Sequence, residues 1–182
     1  MLTIRSVEAC PQCGVHWYVG FETAACTDHT HVHRRFESHQ HRTPVTLPDG
    51  SRLIAVSFDR LDPYSRDHVP DYGLYLDPAW SPSWAHEHVR WPDFGVPEDP
   101  AELTQALRSL TERMRAGQVI ELGCLGGHGR TGTALACLAT LSGCPRGDAI
   151  RWVRENYCEK AVETAEQEAF VDGFDGAGSI RE

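Results

Sequence analysis

Val119-Ile120-Glu121-Leu122-Gly123-Cys124-Leu125-Gly126-Gly127-His128-Gly129-Arg130-Thr131-Gly132 is the stretch on which the reading of this chain turns. Val119–Leu122 reads as a short buried strand, and Thr131–Leu141 is an apolar run of helical length. Between them lies a glycine-rich turn. A strand, a tight turn and a helix N-terminus in that order aim backbone N–H groups at one anion. Five residues separate Cys124 from Arg130, a loop small enough to wrap a single phosphate. Cys124 falls at the loop floor, where amides and the helix dipole favour a thiolate. The planar fork of Arg130 can chelate two phosphoryl oxygens. Gly126, Gly127 and Gly129 let the backbone approach the anion closely. The hydroxyl of Thr131 is placed to donate a hydrogen bond to the thiolate. A buried structural cysteine in a strand-to-helix turn is the plain alternative.

Working outward, Thr43–Leu47 and Arg52–Phe58 flank Asp49-Gly50 and read as a β-hairpin. Tyr72–Leu76 is a further strand, and Trp84–Trp91 a weaker one. Leu103, Ala106, Leu107, Leu110 and Met114 recur at helical spacing, with Gly117 as the stop. Ala149, Ile150, Val153 and Tyr157 mark another helix. A last one begins near Thr164, whose hydroxyl forms a capping box with Gln167. The class expected is α/β, a central mainly parallel sheet flanked by helices.

Three separated pieces now resemble the protein tyrosine and dual-specificity phosphatase superfamily: the Cys124–Gly132 loop, Trp91-Pro92-Asp93-Phe94-Gly95-Val96-Pro97, and Glu163-Thr164-Ala165-Glu166-Gln167. They are similar to that family's phosphate loop, mobile acid loop and glutamine loop, in the same order over residues 43–172. The resemblance implies a dual-specificity phosphatase-like fold and hydrolysis of a phosphate monoester through a phosphocysteine. It implies Cys124 as nucleophile, Arg130 as phosphate chelator and Asp93 as acid. Leu125, Gly126, Gly127, His128, Gly129, Thr131 and Gln167 would line the phosphate. The acid has a chemical rationale of its own. Phenoxide and alkoxide are poor leaving groups, and a carboxylic acid that protonates the departing oxygen removes the difficulty. The chain departs from the family pattern in having Gly123 where histidine usually precedes the nucleophile. It also carries Glu163 at a position that often orients water.

Residues 1–42 differ from the domain expected over 43–182. They hold three of the seven cysteines and six of the ten histidines, with few aliphatic residues after Val32. Such a segment needs a staple. Cys10 and Cys13, then Cys26 and His29, form two knuckles that together make a Cys₃His site suited to structural Zn²⁺. His31 or His33 can replace His29, since all three share one face of an extended strand. His39 and His41 read as solvated surface residues. The expected architecture is thus a phosphatase domain with a small N-terminal zinc-binding β element, and no cofactor for catalysis.

A net charge of -9 argues against nucleic-acid or anionic-membrane partners, leaving a phosphorylated protein or small phosphate ester. No run of apolar residues approaches the ~20 needed to cross a bilayer, and Met1–Gly20 lacks the apolar core of a secretory signal. A cytoplasmic location is expected. Two rival readings are a phosphate-binding module without turnover, suggested by Gly123 and Glu163, and a rhodanese-like sulfurtransferase. The first must ignore the joint presence of Cys124, Arg130 and Asp93, and the second has no use for an acid loop.

Overall fold

The computed structural model describes residues 41–58, 64 and 66–176, together with the backbone of four short N-terminal strands. The chain divides into two units, Met1–Gln40 and His41–Glu182. In the first, β1 (Val7–Ala9) pairs antiparallel with β2 (His16–Tyr18), and β3 (Thr23–Ala25) with β4 (Val32–Arg34). The expected zinc ligands Cys10, Cys13, Cys26 and His29 lie outside the described residues.

The second unit is built on a five-stranded sheet of order β5-β6-β9-β7-β8. β5 (Arg42–Thr46) and β6 (Arg52–Ser57) form the expected antiparallel hairpin, whose turn places Gly50 at a φ of 86°. The remaining pairings, β6 with β9 (Ile120–Cys124), β9 with β7 (Tyr72–Tyr75) and β7 with β8 (His86–His88), are all parallel. The sheet is mainly parallel, as expected. The weaker strand is shorter than expected, three residues rather than Trp84–Trp91.

All five residues of β9 are buried, since neighbours pair on both sides and both faces are covered. Ile120 and Leu122 join the core beneath the helices. Glu121, of opposite parity, carries its carboxylate to Arg66 and Tyr75 instead. The second face holds a smaller cluster of Val56, Phe58, Tyr75 and Trp80, in which Phe58 stacks on Trp80.

Four α-helices among the described residues complete the unit. α1 (Pro100–Arg115) is capped by Asp99, which accepts from the amides of Ala101 and Glu102, and Gly117 stops it at a φ of 82°. It buries the predicted stripe of Leu103, Ala106, Leu107, Leu110 and Met114. α2 (Gly129–Leu141) is buried along nearly its whole length and packs against the other three helices. That central position is why its sequence is small and apolar on every side. α3 (Ala149–Asn156) and α4 (Ala165–Gly173) follow, the latter capped by Thr164 as the capping box predicted. Parallel pairing brings the carboxyl ends of β6, β9, β7 and β8 to one edge of the sheet. Ligand sites of such sheets form there.

Candidate active site

β9 ends on Cys124 and α2 begins at Gly129, so the loop between them sits at that edge. Its carbonyls are engaged outside. Leu125 O accepts from Phe58 N at 2.7 Å, Gly127 O from the Tyr157 hydroxyl at 2.6 Å, and His128 O from Gly132 N at 2.8 Å. A trans peptide points its N–H opposite its C=O, so the amides of Gly126 and His128 face the loop interior, while that of Gly129 bonds the Glu163 carboxylate. This is the arrangement an anion requires.

Gly123 is explained by its neighbours. A Cβ there would run into the carbonyl oxygen and side chain of Val56 on β6. The close approach of β6 leaves no room for the histidine that usually stands at this position. Gly127, at a φ of 76°, is equally constrained, since a Cβ would meet the His41 ring at 2.7 Å. His41 is 3% exposed, which corrects the expectation of a solvated residue: it fills the space beside Gly127 and packs on Tyr157.

Arg130 is 3% exposed and heavily bonded. Nη1 donates to the carbonyls of Leu76 (2.8 Å) and Trp91 (3.1 Å). Nη2 lies 3.2 Å from both the Asp77 and the Asp93 carboxylates. Its Nε is buried with no hydrogen-bond partner among the described residues. A buried cationic N–H without an acceptor is costly, and a phosphoryl oxygen would supply one. Thr131 Oγ1 is also buried and unpartnered among the described residues, so the expected bond from this hydroxyl to the thiolate is not made here.

The segment carrying Asp93 is drawn onto the site from several directions. Trp91 Nε1 and Gln167 Nε2 both donate to Gly95 O, at 2.8 and 3.1 Å, and Thr164 Oγ1 donates to Phe94 O at 3.1 Å. Phe94 takes a φ of 61° and Val162 one of 63°, conformations rare for such side chains and frequent at working sites. Gln167 is fully buried and also accepts from Glu163 N. Glu163 lies against Gly129, where any Cβ would strike its carboxylate. Burial, and then the charge of Asp93, raise its pKa above the ordinary glutamate value.

The structure therefore brings Arg130, Asp93, Gln167 and the phosphate loop together. Sequence reasoning missed Asp77. The signal was available: Asp77 lies two residues past the end of β7, at the carboxyl end of a parallel strand. It also missed the cluster behind the loop, where His41, His128 and Cys158 bring ligand atoms within 4.8 Å of one another.

The family model described as protein-tyrosine phosphatase matches residues 81–167, a span that includes Asp93, Cys124, Arg130 and Gln167. An uncharacterized protein of Methanocaldococcus jannaschii is 37% identical over 109 residues, 54% of this chain and 71% of that protein. A second from the same organism is 38% identical over 111 residues, 54% of this chain and 66% of that one. Among solved structures, Tk-PTP in its active form is 29% identical with a TM-score of 0.53, covering 68% of this chain and 90% of its own. Kinase-associated phosphatase with its catalytic-site cysteine replaced by serine superposes at a TM-score of 0.57 over 75% of this chain and 94% of its own. At 16% identity that is a likeness of fold.

Proposed function

Because the chain belongs to the protein-tyrosine phosphatase family and is a cysteine-dependent phosphomonoester hydrolase, we propose that Cys124 is its nucleophile, Arg130 its phosphate chelator and Asp93 its acid. The observation that carries this assignment is Arg130. It is buried at the carboxyl edge of the sheet, ion-paired to Asp93, and keeps one donor without an acceptor among the described residues.

In the first step the Cys124 sulfur forms a bond to phosphorus as the ester P–O bond breaks, and the Asp93 proton goes to the leaving oxygen. Loop amides, those of Gly126 and His128 among them, and the guanidinium of Arg130 hold the equatorial oxygens, where charge accumulates. In the second step a water oxygen bonds to phosphorus, the P–S pair returns to sulfur, and the water proton goes to Asp93. Glu163, against Gly129 and coupled in charge to Asp93, is the candidate to position that water.

A phosphorylated protein or a small phosphate ester is the proposed substrate, and the cytoplasm the proposed location. No described helix is long and apolar enough to cross a membrane. Cys10, Cys13, Cys26 and His29 are proposed to hold one structural Zn²⁺ on their spacing alone. Acid quench of a single turnover with a phosphorus-labelled aryl phosphate tests the catalytic assignment. Label should be trapped on Cys124 in wild type and be lost in Cys124→Ser. A label on any other residue overturns it.

A further inference from the structure

Behind the phosphate loop, His41, His128 and Cys158 meet from three parts of the chain. His41 precedes β5, where its amide donates to Ser57 Oγ at 3.0 Å and its carbonyl accepts from Ser57 N at 2.9 Å. His128 belongs to the loop itself. Cys158 follows α3 and is 6% exposed, its sulfur accepting from Lys160 N at 3.4 Å. The two imidazoles face each other edge to face, with Nε2 atoms 3.1 Å apart. The nearest ligand atoms of all three residues lie within 4.8 Å of one another.

We propose that these three side chains form a binding site for one Zn²⁺ that ties the phosphate loop to β5 and to the turn after α3. Two imidazole nitrogens on a tetrahedral zinc, each about 2.0–2.1 Å from the ion, stand roughly 3.3 Å apart, close to the separation seen here. A thiolate at about 2.3 Å would stand roughly 3.6 Å from each nitrogen, so closing the site takes sulfur movement on the order of 1 Å. The donor set selects the metal. Two nitrogens and a sulfur suit Zn²⁺, whereas Mg²⁺ and Ca²⁺ need oxygen ligands. The orienting contacts are also present, since His41 is held by Ser57 and by the Tyr157 ring, and Tyr157 by Gly127 O. Binding releases the Cys158 proton to solvent and leaves both imidazoles neutral. His128 sits between Gly127 and Gly129, so an ion on its ring restrains the most pliable part of the loop. The site is separate from the one proposed on Cys10, Cys13, Cys26 and His29.

The test uses the full chain carrying Cys10→Ser, Cys13→Ser and Cys124→Ser, which removes the N-terminal thiolate pair and the nucleophile. Titrated with Zn²⁺ against a chromophoric chelator, this parent should take up one tight equivalent. With Co²⁺ it should show a thiolate charge-transfer band. Adding Cys158→Ala should abolish the band, and Cys158→Ala or His41→Gln should weaken zinc binding roughly tenfold or more. Zinc should raise the melting temperature of the parent and leave that of Cys158→Ala unchanged. A parent that binds no zinc tightly, or a cobalt band and zinc affinity unaltered by Cys158→Ala, overturns the site. The cobalt measurement on the parent stands even if a ligand variant fails to fold.

Discussion

Asp77 and Arg130 form an ion pair at 3.2 Å with both side chains buried, and it shares Nη2 with Asp93. One nitrogen thus faces two carboxylates, while Nε has no protein acceptor among the described residues. Asp77 is itself fixed, its Oδ1 accepting from Ala79 N at 3.0 Å. The geometry fits a division of labour in which Asp77 holds the guanidinium plane and Asp93 serves as the proposed acid.

Asp77→Asn keeps the shape and removes the charge, so Arg130 should stay folded in place but less well oriented. A charged hydrogen bond of about 1.5–3 kcal/mol suggests a loss in kcat/KM of roughly ten- to a hundredfold. Phosphate or vanadate affinity should fall with it, and Asp77→Glu should recover part of both. Unchanged oxyanion affinity in Asp77→Asn would remove Asp77 from the positioning of Arg130.

Asp93→Asn should separate substrates by leaving group. General acid catalysis contributes about 10²–10⁴-fold where the departing oxygen needs its proton. Phosphotyrosine turnover should fall by about that factor, and hydrolysis of a nitrophenyl ester, whose leaving group is already acidic, by far less. Equal losses on both would show that the proton comes from elsewhere.

Legibility tracked how local each determinant is. Cys124, Arg130 and the glycines between them lie in one turn, so their spacing, taken with the strand before and the helix after, pointed to an anion loop. The α1 stripe and the Thr164 cap were equally visible, being set by residues three or four apart. Asp77 depends on sheet order, because only β7 beside β9 brings its carboxylate to Arg130. His41 looked like the end of a histidine-rich tail. Its burial follows from the space left by Gly127, 86 residues further along the chain, which no local pattern encodes. Gly123 was visible as a departure, but its cause, the carbonyl of Val56, belongs to another strand.

Glu121 and Arg66 supply a test of what holds the sheet. Both side chains are 1% exposed, joined by two hydrogen bonds, and Glu121 also accepts from the Tyr75 hydroxyl at 3.1 Å. Burial, with the Glu121 charge adding to it, pushes the Tyr75 pKa far up and keeps that hydroxyl a donor. Arg66→Ala leaves a carboxylate buried in the central strand and should cost about 3–5 kcal/mol in chemical denaturation. Arg66→Met with Glu121→Leu removes both charges and should cost much less. If the double variant is as unstable as Arg66→Ala, lost packing rather than an orphaned charge is responsible.

Glu163 carries a prediction in which stability and turnover move in opposite directions. Burial is the larger cause of its raised pKa and the nearby Asp93 charge the second, with the Gly129 amide and Arg130 offsetting only part. The folded protein thus holds a proton on Glu163 more tightly than the unfolded chain does, and ionising it is a cost to folding. Below the ordinary glutamate value of ~4.3 the group is neutral in both states and the cost vanishes. As pH rises from there through the elevated folded value the cost grows, and above that value it is constant. Glu163→Gln removes it. The variant should therefore match wild type in stability near pH 4 and exceed it at pH 7. Its chemistry should suffer in the second step: with water poorly positioned, phosphocysteine should accumulate, seen as a burst of released phenol followed by slow turnover. A stability difference that is independent of pH would sink the linkage argument. Steady turnover without a burst, at an unchanged rate, would remove Glu163 from water positioning and leave Asp93 to act alone.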